Sequence, residues 1–237
     1  MILPPRGRVF RHRDRVTLAD VSPAGRARLD ALARWLQDAA YEDSLDSGVD
    51  GGGVWIVRRL ALRVHRFPRV REELEVATFC SGFAPLWAER SSIVSCGGEA
   101  VAEAVALWVH LQPDGARPRP LPEGFDRVFA PSAMGRRVRA RLRHPATPPD
   151  GAVSRPWQFR GADLDLAGHV NNAVYWEALE DELVADEPAA GLEAEIEHRA
   201  PAASGAATVL AAGAMRWIAD GAGAIVATLT AQPAGSA

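Results

Sequence analysis

Residues 162–181 read ADLDLAGHVNNAVYWEALED, a polar turn that leads into a stretch with helical character. A second stretch at 19–38, ADVSPAGRARLDALARWLQD, aligns with it without gaps at an offset of 143 residues and shares six identities in twenty columns. Leu29, Leu32 and Leu36 in this second stretch fall on one face of an amphipathic helix. The matching order of elements in the two halves predicts the duplication of one α+β module.

Strand-like sequences follow both stretches. In the first half they are VWIVRRLALRVHRF, EELEVATF, WAERSSIVSC and AVAEAVALWVHL, and in the second half AEIEHRA, TVLAAGAMRWIAD and AIVATLTAQ. Leu60, Leu62 and Val64 alternate with less apolar neighbours, which suits a sheet with one covered face. We therefore predict an α+β fold with an N-terminal module at 1–112 and a C-terminal module at 157–237.

Residues 113–156 differ in composition from both halves, since they hold nine of the seventeen prolines. Proline lacks an amide donor and fits poorly inside a sheet. We predict that this segment is a linker that passes over the surface. It contains the arginine segment, GRRVRARLR at 135–143.

The bulk properties exclude several classes of protein. A net charge of -3 gives no general attraction to nucleic acid or anionic membranes. No apolar run approaches the roughly 18–20 residues that span a bilayer, and the N-terminal sequence lacks the apolar stretch of a secretory signal. We expect a cytoplasmic protein with no nucleic-acid or membrane partner, and the sequence leaves its oligomeric state open, a homodimer among the alternatives. Cys80 and Cys96 have no evident histidine partner, which favours packed thiols over nucleophiles.

The turn in the second half combines residue types that suit acyl transfer to water. Asp165 precedes a glycine by three residues, and His169 follows that glycine directly. The carboxylate could deprotonate a water or attack a carbonyl itself, and the imidazole adds a second proton-handling group. Backbone N–H groups around Asn171 and Asn172, at the positive end of a helix, could hold a carbonyl oxygen that becomes negative.

The same residues also have a purely structural interpretation. An aspartate before a helix is a common N-cap, which would account for Asp163 or Asp165. Asn171 and Asn172 could satisfy the helix end alone, and His169 could face solvent. No Cys/His spacing indicates a metal site and no glycine-rich loop indicates a nucleotide, so we expect neither a metal nor a cofactor.

The stretch DLDLAGHVNNAVYWEALED resembles the signature of the acyl-acyl-carrier-protein thioesterases, in which an Asp-x-Asn-x-His-Val-Asn-Asn run starts the second hotdog helix. FRHRDRVTLADVSPAGRARLDALARWLQDAA and VWIVRRLALRVHRFPRVREELEVATF are similar to the first module of that family, so that the resemblance covers most of residues 8–200. It implies tandem hotdog modules, each a long helix wrapped by an antiparallel β-sheet.

By this resemblance Asp165 falls on the catalytic aspartate of the family and His169 on its catalytic histidine. The family asparagine between them is Ala167 here, and the glutamate and cysteine of plant members fall at Pro201 and Ala202. Asp-Leu-Ala-Gly is instead similar to single-module acyl-CoA thioesterases, in which one aspartate and the helix amides act. Glutamates elsewhere in the second half could substitute for the missing one. They are Glu197 and Glu177.

The resemblance implies hydrolysis of a fatty acyl-acyl-carrier-protein, or of an acyl-CoA, to the free acid and thiol. We expect a catalytic set of Asp165, His169, Asn171 and Asn172, with Asp165 activating water, His169 positioning the water or the thioester, and the amides polarising the carbonyl. Two alternatives stay open. They are a hotdog hydratase or dehydratase and a non-catalytic acyl-thioester-binding module.

Two further expectations concern the linker and the first module. The arginine segment could dock an acidic carrier protein, or be a solvated charged linker. In the repeat alignment Asp165 corresponds to Ser22 and His169 to Arg26. Because arginine stays protonated and the serine has no evident base, we predict one active site per chain, in the second half.

Overall fold

The computed structural model describes residues 1–49, 52–115, 117–185, 188 and 191–235. The elements of the first half are β1 (Phe10–Arg15), α1 (Leu29–Ser47), β2 (Val54–Val64), β3 (Glu73–Ala84), β4 (Trp87–Cys96) and β5 (Glu99–Leu111). The linker contains α2 (Phe125–Ala133). The elements of the second half are β6 (Val153–Phe159), α3 (Glu177–Ala185, preceded by a 3-10 turn at Val174–Trp176), β7 (Leu192–His198), β8 (Gly205–Ala212), β9 (Met215–Asp220) and β10 (Ile225–Pro233).

The strands form one antiparallel sheet with the order β1-β3-β4-β5-β2-β7-β10-β9-β8-β6. The second half of this order is the first half reversed, with β6 in the place of β1 and β7 in the place of β2. The two halves meet where β2 pairs with β7, and Arg59 lies opposite Glu197 and Val64 opposite Leu192. This arrangement confirms the predicted α+β fold of tandem hotdog modules.

Helix α1 packs against the first half of the sheet because one face of it is apolar. Leu29, Leu32 and Leu36 are buried in a core cluster that also contains Ile196 and Leu229 of the second module. Burial of each such side chain stabilises the fold by about 1.5–3 kcal/mol. The helix ends at Gly48, whose φ of 66° is the left-handed conformation that favours glycine after a helix.

Residues 208–220, treated above as one strand, are a hairpin of two strands. The turn between β8 and β9 contains Gly213 at a φ of 55°. Ala212 at the end of β8 lies opposite Met215 at the start of β9. The alanine-rich stretch concealed this turn, because alanine gives neither a strand nor a turn signal.

The linker is tied to both modules by hydrogen bonds to its backbone. Helix α2 packs on the first half of the sheet through Phe125 and Phe129. Further along, the indole N–H of Trp87 donates to the carbonyl of Val138 at 2.9 Å, and that of Trp217 to Pro145 at 3.0 Å. Among the described residues, no helix combines the length and the apolar character that crossing a membrane requires.

Candidate active site

The turn of residues 163–171 is closed by backbone hydrogen bonds between its two sides. The amide of Asn171 donates to the carbonyl of Asp163 at 2.8 Å, and the amide of Asp165 to that of His169 at 2.8 Å. At the tip, the amide of Gly168 donates to the carbonyl of Asp165 at 2.9 Å, and the φ of Gly168 is 74°. This left-handed conformation explains the glycine between the aspartate and the histidine.

The first module repeats this turn bond for bond. The amide of Ser22 donates to Arg26 at 2.8 Å, that of Gly25 to Ser22 at 2.8 Å, and that of Arg28 to Asp20 at 2.9 Å. Each of these pairs is the counterpart of a pair in the second module at the offset of 143 residues. The two turns therefore have the same backbone, and they differ in the side chains that the backbone presents.

The carboxylate of Asp165 holds the turn with one of its oxygens. Oδ1 accepts the amide N–H groups of Ala167 at 2.9 Å and of His169 at 3.4 Å. Within the described part of the chain, no group donates to Oδ2, and the residue is exposed. His169 is exposed as well, and its imidazole has no hydrogen bond to another described residue. One carboxylate oxygen thus remains accessible to a water or a substrate.

Most amides at the start of the helical segment are used by the turn itself. The amide of Asn171 is bound to Asp163, that of Ala173 donates to Oδ1 of Asn171 at 2.9 Å, and that of Val174 to the carbonyl of Asn171 at 3.0 Å. Among the hydrogen bonds of the described residues, the amide of Asn172 takes part in none. Asn171 is therefore a capping residue, and Asn172 offers one free backbone donor.

Asn172 is also one of the residues that line a largely apolar pocket. The pocket is lined by Asn172, Ala173, Trp176 and His198 of the second module together with residues of α1, β2, β4 and β5 of the first. Ala33 and Leu36 of α1 form part of its wall, whereas Leu29 and Leu32 lie in the core. The pocket therefore lies between the modules.

Asp165 and His169 are not among the residues that line this pocket. Tyr175 interacts both with the aspartate and with a residue of the pocket wall. Burial raises the pKa of Tyr175 to about 12, the backbone of Ala202 opposes the rise, and the negative charge of Asp165 adds to it. The ring of Tyr175 in turn meets that of His198, a pocket-lining residue, edge-on at 5.0 Å.

The equivalent helix start in the first module is occupied by protein. Oε2 of Glu180 on α3 accepts the amide of Leu29, the first residue of α1, at 2.9 Å. Oε1 pairs with Nη2 of Arg26 at 2.8 Å, and the Arg26 guanidinium lies 4.7 Å from the centre of the Phe67 ring. Both partners of the ion pair are buried, so a buried ion pair covers the helix start of the first module.

Gln37 is a candidate that the sequence analysis did not identify. In the repeat alignment it corresponds to Glu180, and it lines the pocket beside Asn172, as Glu180 lies beside the amide of Leu29. The repeat alignment at an offset of 143 residues already pairs Gln37 with Glu180. It could be used only once the structure had placed each helix next to the turn of the other module.

We expect Glu180→Ala to lower the free energy of unfolding by about 3–5 kcal/mol, because it leaves the buried Arg26 charge without its partner. The pKa of Glu180 is raised by burial, against which hydrogen bonds from Arg26 and Leu29 act. Urea unfolding measures the change. Glu177→Ala on the same helix is the control and should cost less than about 1 kcal/mol. Equal losses in the two variants would contradict the structural role of Glu180.

The remaining candidates from the sequence are the two cysteines, Glu197 and Glu177. Burial raises the pKa of Cys80 and that of Cys96 to about 11, so both thiols are protonated at neutral pH. Glu197 is fully buried and accepts the backbone amides of Arg143 and His144.

Ligand atoms of Glu197, His144 and Glu195 lie within 4.8 Å of one another, a spacing that a metal ion could bridge. His144 is engaged with Glu195 at 3.2 Å and with Thr228 at 3.1 Å. These bonds fasten the linker to the sheet.

Glu177 is half-buried, and its carboxylate lies 3.4 Å from the guanidinium of Arg160.

Several relatives and solved structures are similar to the chain. An uncharacterized protein of Mycobacterium tuberculosis (strain ATCC 25618 / H37Rv) is 24% identical over 205 residues, which are 85% of this chain and 81% of the relative. Oleoyl-acyl carrier protein thioesterase 2 of Arabidopsis thaliana is 25% identical over 178 residues, 63% of this chain and 47% of the relative.

Two crystal structures share the fold. The 12:0-ACP thioesterase from Umbellularia californica superposes with a TM-score of 0.74 at 20% identity, over 96% of this chain and 98% of its own. An acyl-ACP thioesterase from Bacteroides thetaiotaomicron gives a TM-score of 0.75 at 17% identity, over 94% and 98%.

The family comparison covers most of the chain. Residues 7–128 match the acyl-ACP thioesterase N-terminal domain, and residues 148–210 match the acyl-ACP thioesterase C-terminal domain. The first match alone spans more than half of the chain. The chain therefore belongs to the acyl-ACP thioesterase family and is a hydrolase of acyl thioesters.

Proposed function

We propose that the chain hydrolyses a fatty acyl-acyl-carrier-protein, or the corresponding acyl-CoA, at the turn that carries Asp165. The observation that carries the proposal concerns Asn172, which lines an apolar pocket, whose amide takes part in no hydrogen bond among the described residues, and which lies on the same turn segment as an exposed carboxylate. A thioester carbonyl at this amide would have its acyl chain in the pocket and its thiol portion toward solvent.

The reaction follows from these groups. Asp165 takes a proton from a water through its free oxygen, and the water oxygen attacks the thioester carbonyl carbon. The negative charge that forms on the carbonyl oxygen is held by the N–H of Asn172 at the positive end of the helical segment. The C–S bond then breaks, the carbonyl re-forms as the free acid, and the thiolate leaves and takes up a proton. The mechanism uses no metal or cofactor.

His169 and Gln37 support this centre. His169 is exposed on the same turn, where it can position the attacking water or the thioester. Gln37 lies on the pocket wall with Asn172, and its side-chain amide is a second donor for the developing oxyanion. Neutral glutamine suits this role, because a carboxylate there would occupy the Asn172 amide as Glu180 occupies that of Leu29.

The asymmetry of the modules supports the proposal of one site per chain. In the first module, Ser22 and Arg26 stand at the positions equivalent to Asp165 and His169. Glu180, which is paired with Arg26, accepts the amide N–H of Leu29. The first module instead contributes Ala33 and Leu36 to the pocket that receives the acyl chain. We propose residues 1–112 and 157–237 as the units of this duplication.

A panel of acyl-ACP and acyl-CoA thioesters tests the proposed function. We expect equal amounts of free thiol and free acid from at least one chain length. An enoyl thioester in the same panel distinguishes a hydratase, which would add water across the double bond without releasing thiol. Acyl-thioester binding without thiol release from any substrate would favour the non-catalytic alternative and refute the proposal.

The arginine segment is the proposed docking surface for an acidic carrier protein. Arg136, Arg137, Arg139, Arg141 and Arg143 are all exposed. Arg136 pairs with Glu89, and the other four have no ion pair with a described residue. A positive surface of this kind steers an acidic partner by long-range attraction that salt screens. A carrier-bound substrate would place the reaction in fatty acid biosynthesis in the cytoplasm.

We expect activity on acyl-ACP to fall steeply between roughly 50 and 300 mM salt, whereas activity on a short pantetheine thioester should change little. The double variant Arg139→Ala/Arg141→Ala should lose much of this salt dependence. Arg6→Ala/Arg117→Ala, which removes two exposed arginines elsewhere, is the matched control. Equal salt responses for the two substrates would remove the docking proposal.

A further inference from the structure

Three aromatic residues that line the pocket have ring nitrogens without a hydrogen-bond partner. They are Nε2 of His198 and Nε1 of Trp108 and of Trp176. Each of these atoms is buried, and among the described residues none binds it. His198 is 7% exposed and Trp176 is 0% exposed. Leaving buried polar atoms unpaired is costly and uncommon in native proteins, so three on one pocket indicate partners from outside the chain, either water or a ligand that displaces it.

The His198 ring is held in one place and is uncharged. Burial, with a smaller contribution from the charge of Arg58, lowers the pKa of His198 to about 3. A neutral imidazole has one N–H donor and one acceptor nitrogen. The edge-on contact with Tyr175 fixes the orientation of the ring. His198 can therefore form a directed hydrogen bond with a neutral ligand group.

The chemistry of the wall limits what that group can be. The two indole nitrogens are donors only, so their partner must be an acceptor. Arg90 on the same wall is already paired with Asp43, and Arg58, whose charge acts on His198, is not among the residues that line the pocket. The wall itself therefore offers a carboxylate no unpaired arginine. Ala33, Leu36 and their neighbours form the rest of the wall, which suits a hydrocarbon chain. A neutral oxygen on a mainly apolar chain satisfies all of these conditions.

We propose that the acyl group recognised by this pocket carries a hydroxyl or keto oxygen along its chain, bound by His198 with the indole N–H groups of Trp108 and Trp176. This inference rests on the proposed function and narrows its substrate class from fatty acyl thioesters to oxygen-substituted ones. A pocket that hydrogen-bonds a substrate oxygen discriminates strongly against the analogue that lacks it, because its buried polar atoms then stay unpaired.

The test compares acyl-ACP substrates of one chain length with and without a hydroxyl or keto group at successive positions. We expect the parent to prefer one substituted substrate by at least about tenfold in kcat/KM. His198→Leu should reduce this ratio by about tenfold or more. Trp108→Phe keeps the ring and removes the N–H, and it should reduce the ratio as well. This second variant decides the matter if His198→Leu does not fold.

His110→Leu is the matched control. His110 is also a buried histidine whose Nε2 has no partner among the described residues, but it does not line the pocket. It should leave the ratio of the two kcat/KM values unchanged. No preference in the parent at any position, or a ratio that neither pocket variant alters, would overturn the inference.

Failure of this inference can be separated from failure of the proposed function. Hydrolysis of substituted and unsubstituted substrates at equal rates would refute the inference alone. Absence of hydrolysis would refute the proposed function. In that case, calorimetric binding of thioether analogues of the same substrate pairs, in which the C–S–C linkage cannot be hydrolysed, still measures the preference of the pocket. Equal affinities would then overturn the inference too.

Discussion

Asp165→Asn is expected to lower kcat/KM on the best acyl thioester by about 10²–10⁴ with the fold intact, the range for loss of a general base. The amide oxygen of asparagine can still accept the N–H groups of Ala167 and His169, so the turn should keep its hydrogen bonds. What the substitution removes is the ability of the exposed oxygen to take a proton from water.

Thiol release in steady state measures this effect, and thermal unfolding verifies that the variant is folded. His169→Ala should lose less than Asp165→Asn, because the base and the helix amides remain. Activity of Asp165→Asn close to that of the parent would show that another group deprotonates the water.

Asn172→Pro is expected to lower kcat by about 10²–10³, the range for removal of one oxyanion donor. Proline deletes the N–H of this residue and is tolerated near the first turn of a helix. The fold does not use this N–H among the described residues, so its loss should act on the reaction more than on stability.

Asn172→Ala is the control, because it removes the side chain and keeps the amide. It should retain most of the activity of the parent. A comparable loss of kcat in both variants would indicate that the side chain of Asn172, and not its backbone, carries the effect.

The elements that the sequence predicts well are those with a strong local pattern. Helix α1 has an apolar face and a glycine at its end, and the paired turns share a glycine and flanking polar residues. Strands β1 and β6 were missed, and they are the two edges of the sheet. Edge strands tolerate charge and proline, so FRHRDR and VSRPWQF give little alternation of apolar and polar residues.

The candidate site was only partly predictable for a different reason. Asp165 and His169 stand out because they form a local motif on one turn. The distribution of hydrogen bonds among the amides of the described residues, in which that of Asn172 takes no part, depends on backbone geometry that residue types do not specify. Glu180 binds the helix start of the opposite module, and Gln37 stands at the corresponding position of α1. Only the packing of α1 against α3 reveals this relation between the modules.

The central claim is that one chain has one active site, on the turn of the second module. The most direct test is kcat/KM of Ser22→Ala, the substitution in the first module at the position equivalent to Asp165, measured on the substrate that the parent hydrolyses best. Ser22 is buried, and its hydroxyl oxygen accepts the amide N–H of Ala24 at 3.2 Å. We predict a change of less than about threefold, far below the loss for one general base. A loss comparable to that of Asp165→Asn would contradict the asymmetry between the modules.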